Sequence, residues 1–112
     1  NDGDPVLAVG RQLRHMAALS GSMLRNAVRA ADEMDPGLAR SVLERDAELD
    51  AEFAAALRLV MSYVLQDHRF LRPTIDTIFA LKGLERIGDH ATNIAEQVLY
   101  MMGQDRQQAD AA

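Results

Sequence analysis

The chain has 112 residues, 48% of them hydrophobic and 4% aromatic, with no cysteine and a formal net charge of −5. That is one domain's length, with a core to be built from aliphatic side chains and methionine. It excludes a disulfide framework, a thiolate metal site and a cysteine nucleophile. An acidic chain in which eleven of twelve basic residues are arginine, scattered without a basic block, also argues against nucleic-acid binding and for a cation- or protein-binding role.

Pro5, Pro36 and Pro73 each stand just before a long proline-free stretch of helix-favouring residues. Proline is tolerated in the first helical turn and no deeper, so each reads as a start signal. No stretch alternates with period two, so no strands are expected. No apolar run approaches the roughly 18–20 residues of a membrane span, and no secretory signal is visible. A first residue of Asn1 in place of Met reads as a processed or excised fragment.

The first helix is expected from about Pro5 to Met34, with a seam of Val9, Leu13, Met16, Met23, Ala27 and Ala31. Asp35-Pro36-Gly37 reads as the turn that ends it. The second is expected from Pro36 to Gln66 along Val42, Leu49, Phe53, Leu57, Val60 and Val64, with His68 and Arg69 suiting the negative end of its dipole. The third is expected from about Arg72 to Met102, stopped by Gly103. Its seam is Ile75, Ile78, Leu84, Ile87, Ala91, Ile94, Val98 and Met101. Helices of about 30 residues, roughly 45 Å long, joined by short connections must run antiparallel. The expected fold is an all-α, up-down-up three-helix bundle over residues 1–103, followed by a frayed polar tail over 104–112.

Four acidic residues do not read as solvated charge. Asp46 lies between Val42 and Leu49 on the seam of the second helix, and a buried carboxylate needs a partner. Asp50 follows at i+4. On the third helix Glu85 and Asp89 repeat that spacing beside the seam, and Asn93 continues the row. Like charges at i, i+4 repel by about 0.2–0.5 kcal/mol, and a cation would reverse the sign. Oxygen-only ligands suit Mg²⁺, Mn²⁺ or Ca²⁺, with iron also compatible. Gly88, mid-helix between Glu85 and Asp89, marks either a ligand's approach or tight helix packing. Lys82 and Arg86 flank the set and could neutralise it without a metal.

His15 and His68 are expected at the surface, and three scattered histidines make a poor zinc site. The Glu-x-x-His spacing of di-iron bundles is absent, because position 88 is glycine. No phosphate loop and no Ser/His/Asp arrangement is present.

The segment Leu84-Glu85-Arg86-Ile87-Gly88-Asp89-His90-Ala91-Thr92-Asn93-Ile94-Ala95-Glu96 closely resembles the signature on the last helix of a PhoU repeat. Arg72-Pro73-Thr74-Ile75-Asp76 and Asp46-Ala47-Glu48-Leu49-Asp50 are similar to the same family. The likeness is sharpest over residues 70–103. It implies one three-helix repeat, most like the C-terminal one of two. It further implies metal ligation by Asp46, Asp50, Glu85 and Asp89, with Asn93 and His90 as auxiliary ligands. The metal would be iron, Mn, Mg or Zn. It implies a cytoplasmic, often dimeric regulator that restrains the phosphate-starvation response, coupling a phosphate transporter ATPase to a sensor kinase. The competing readings of the residues are a metal-carboxylate hydrolase or phosphatase, and a purely structural oligomerisation module.

Overall fold

The computed structural model describes residues 9–104. Three helices follow one another: α1 (Gly10–Glu33), α2 (Pro36–Gln66) and α3 (Leu71–Met101), with a single 3₁₀ turn (His68–Phe70) before the last. Each helix packs on the other two, and the bundle measures 55 × 26 × 16 Å. The expected start of α1 at Pro5 and the expected tail over 105–112 lie outside the described residues.

The α1–α2 connection is shorter than the expected turn. Met34 takes the left-handed conformation that ends α1, at φ 51°, and the Asp35 amide donates back to Ala30 O at 2.9 Å. Asp35 is at once the N-cap of α2. Its Oδ1 accepts from the Leu38 amide at 3.0 Å, and Pro36 occupies the first helical position. Gly37 therefore sits inside the helix, not in the turn. Replacing Asp35 with alanine should lower stability by about 1 kcal/mol, the usual loss for an N-cap carboxylate. Urea denaturation checks this, and an unchanged midpoint would show that Pro36 alone sets the start.

At the other connection the sequence expectation needs correcting. His68 and Arg69 do not face the C-terminus of α2 but form the 3₁₀ turn. Asp67 organises it: its carboxylate accepts from the Arg69 amide at 3.0 Å and from the Arg69 guanidinium at 2.6 Å. Tyr63 and Phe70 close the corner edge-to-face, ring centroids 5.8 Å apart. At the far end Gly103, at φ 69°, stops α3 as expected. The amides of Gly103 and Gln104 donate to Tyr100 O and Leu99 O, the paired bonds of a glycine C-cap. Gln104, read as the first tail residue, is held by Arg40, whose Nη1 donates to its Oε1 at 2.8 Å.

The seams of α1 and α2 hold. Val9, Met16, Met23 and Ala27 are buried, as are Val42, Leu49 and Val60. His15 is exposed and bridges the two helices, Nε2 lying 3.2 Å from Glu48 and 3.7 Å from Glu52. The seam of α3 is rotated from the expected one. Its buried line is Thr74, Thr77, Leu81, Gly88, Ala91, Ala95 and Val98. Ile75 and Met101, expected inside, are 40% and 60% exposed. Small side chains face the neighbours because the helices approach closely there, and the larger Leu84 and Ile94 pack at the rim of the core.

Candidate metal site

The closest approach sets the geometry. A Cβ placed on Gly88 would overlap Cδ2 of Leu49, with Met23 Cε 3.9 Å behind. Gly88 is thus a helix-packing glycine, and its contact with Leu49 locks the register of α2 against α3. Asp46 and Asp50 flank Leu49 on one side of that contact; Glu85 and Asp89 flank Gly88 on the other.

The four carboxylates consequently act on one another across the interface. Asp46 is half-buried, and its Oδ1 is a buried oxygen with no hydrogen-bond partner among the described residues. Burial raises its pKa, and the charges of Asp50, Asp89 and Glu96 raise it further. Glu85, with a side chain only 19% exposed, is pushed up to about 7. Burial is the main cause, and a hydrogen bond with Asp50 follows; the Asp50 and Asp89 charges add to it while Lys82 opposes. Burial and the neighbouring acids thus favour the protonated form of Glu85 over its anion.

Neutralisation by the flanking bases is incomplete. Lys82 Nζ stands 4.0 Å from Glu85 Oε1 and also lies over the Phe53 ring, 5.2 Å from its centroid. Arg86 is exposed and makes no ion pair among the described residues. Asn93 and His90 are exposed on later positions of α3, His90 about 100° around the helix from Asp89. Nothing among the described residues ties either of them to the carboxylates. Glu96 was not singled out by spacing, yet its charge bears on Asp46. Its position seven residues after Asp89, two turns along the same face, is the signal that would have found it.

The donor set fits a hard cation in kind: all-oxygen, anionic, with one oxygen lacking any donor and two carboxyls disfavoured as anions. The side chains do not yet converge, since no three of His, Asp or Glu among the described residues come close enough to surround one ion.

The sequence model of the PhoU domain matches residues 13–98, which spans all three helices and every candidate ligand. The chain belongs to the PhoU family. It is 42% identical over 98 residues to a phosphate-specific transport system accessory protein PhoU homolog of Xylella fastidiosa, covering 88% of this chain and 41% of that protein. A PhoU homolog of Rhizobium meliloti is 39% identical over 93 residues, 83% of this chain and 39% of that protein. The crystal structure of PhoU from Pseudomonas aeruginosa is similar with a TM-score of 0.77 at 40% identity, over 80% of this chain and 43% of that one. The chain therefore spans about two fifths of the length of these PhoU proteins, the extent of one three-helix repeat.

Proposed function

We propose that this chain is a repeat of a regulatory accessory protein of phosphate uptake, an adaptor and not an enzyme. The observation that carries the reading is the family match across all three helices, with relatives named as phosphate-specific transport accessory proteins. Those names favour an adaptor over a hydrolase or a purely structural module. The partners this implies are the ATPase of a phosphate transporter and a sensor histidine kinase, met in the cytoplasm. No helix among the described residues is long and apolar enough to cross a membrane, which is compatible with a partner-bound role. A homo-oligomer is the expected assembly.

In this reading Asp46, Asp50, Glu85 and Asp89 hold divalent or iron ions, with Asn93 completing the donors. A bound cation would supply the positive charge that these residues lack, taking the place of the proton on Glu85. The carboxylates' own part is to join α2 to α3: repulsive without a cation, cohesive with one. The set would thus make the stiffness of the α2–α3 face depend on metal.

The test has two arms. The stripped chain is offered Mg²⁺, Mn²⁺, Fe²⁺ and Zn²⁺, with bound metal and unfolding measured together. Stoichiometric uptake is expected, with stabilisation of about 2.7 kcal/mol at a hundredfold excess over Kd, both lost in Glu85→Ala/Asp89→Ala. No uptake by the wild type would remove the metal. In the second arm, the chain is titrated against the transporter ATPase; no association with or without metal would remove the adaptor role.

A further inference from the structure

Leu71, Ile75 and Phe79 follow one another at i, i+4 and i+8 on the outer side of α3 and form one stripe. Leu71 and Ile75 are exposed, and Phe79 is 73% exposed. Isolated apolar residues on a surface need no explanation, but a contiguous set along one edge marks a contact surface. Thr74, Thr77 and Leu81 bury the opposite side of the same turns, so this stripe is surplus to the core.

The stripe continues into positive charge. At 100° per residue, Lys82 and Arg86 lie within about 20° of the line through Ile75. Of the nearby acids, Asp76 and Glu85 lie about 80–100° to either side, and Asp89, about one turn beyond Arg86, lies about 40° from the line. In a chain of net charge −5, this apolar-then-basic line runs against the overall balance. An open groove of ≈ 450 Å³ adjoins it, lined by Phe79, Lys82, Gly83, Glu85, Arg86 and Asp89. Gly83 leaves the groove unobstructed: nothing lies within 4 Å of where its Cβ would be.

The geometry points to a docking surface on α3, from Leu71 to Arg86, for an acidic amphipathic helix of a partner protein. Its apolar residues cover Leu71, Ile75 and Phe79, and its carboxylates meet Lys82 and Arg86. Sixteen residues of α3 span roughly 24 Å, room for about four turns of a partner laid alongside. Charge complementarity selects the occupant: Arg86 makes no ion pair among the described residues, and a basic helix would be repelled. Phe79 has the chemistry of an anchor, large and rigid. The surface adjoins the candidate metal site, since Glu85 and Asp89 line the same groove, but it needs no metal there.

The full chain is titrated into a fluorescein-labelled helical peptide of ~18 residues with leucines at i, i+3, i+4 and i+7 and glutamates toward one end. A matched peptide carries lysines in place of the glutamates, and phosphatidylglycerol vesicles form a third arm. The glutamate peptide is expected to bind about tenfold tighter than the lysine peptide, and less well at high salt. Phe79→Ser and Arg86→Glu should each weaken it about tenfold, with Arg86→Glu reversing the preference toward lysine. Both positions are exposed, so melting temperatures should not change, and Phe79→Ser, which alters no charge, should leave metal uptake as it is; that variant separates failure here from failure of the metal site. Equal binding of the two peptides, no binding by the wild type, or indifference to both substitutions would overturn the proposal. So would self-association abolished by Phe79→Ser, which assigns the face to a second copy, or capture by vesicles instead of peptide.

Discussion

Gly88→Val is expected to destabilise the bundle by about 3 kcal/mol, although a β-carbon in mid-helix should by propensity alone be a gain. Glycine in a helix interior costs about 1 kcal/mol against alanine. At position 88 the added Cβ meets Leu49 Cδ2, and Leu49 is fully buried. Overpacking a filled core costs about 1–3 kcal/mol. Alanine should therefore be mildly destabilising and valine, with two further methyls, more so. Two comparisons make the assignment specific. Gly83→Ala, on the same helix but with nothing within 4 Å of its Cβ, should stabilise by up to about 1 kcal/mol. Leu49→Ala, itself costly by about 2–5 kcal/mol, should make Gly88→Ala nearly harmless, giving a coupling of about 1–2 kcal/mol in the double-mutant cycle. Urea midpoints at constant m-value provide the measurement. A stabilised Gly88→Ala would mean that the two helices do not touch there.

The second large effect depends on pH. Glu85 ordinarily titrates at 4.5 and is raised to about 7 in the fold. Folding thus favours its protonated form. That contribution is fully present below pH 4.5, declines as pH rises toward 7, and is gone above it. At about 1.4 kcal/mol per pH unit the loss is about 3 kcal/mol. Asp46, also raised by burial and by its acidic neighbours, acts in the same direction. In chelator, Glu85→Gln should match the wild type near pH 4.5 and exceed it by about 2–3 kcal/mol at pH 8. Saturating metal should cancel that advantage, because the cation then serves the wild-type carboxylate as the proton did. Melting curves from pH 4.5 to 8.5, with and without metal, test both halves. A wild type whose melting temperature is flat between pH 5 and 8 in chelator would show that Lys82 neutralises Glu85 outright.

The two effects share one origin. The Leu49–Gly88 contact draws α2 and α3 together, and that closeness forces Asp50 against Glu85 and strips solvent from Asp46. A valine at position 88 should therefore also lower the Glu85 pKa toward its ordinary value, by parting the two helices.

Much of the architecture is legible in one dimension. Pro36 and Asp35 mark the start of α2, because proline is pre-organised for a first turn and aspartate accepts the orphan amide three residues on. Gly103 marks the end of α3, because a left-handed residue closes a helix. The periodicity of α1 and α2 names their buried faces, and the i, i+4 acids name the candidate ligands. These are properties of a chain segment and its near neighbours. The rotation of α3 is not such a property. Counting large aliphatic residues placed Ile75 and Met101 inside; the expected Ala91 and Val98 are buried, but packing at close range selected Thr74, Thr77, Gly88 and Ala95 beside them. Nor could spacing pair Asp50 with Glu85 or bring Glu96 to bear on Asp46, since each pairing needs the register between two helices. That register follows from how side chains of different helices interlock, a three-dimensional fit that only the assembled bundle decides.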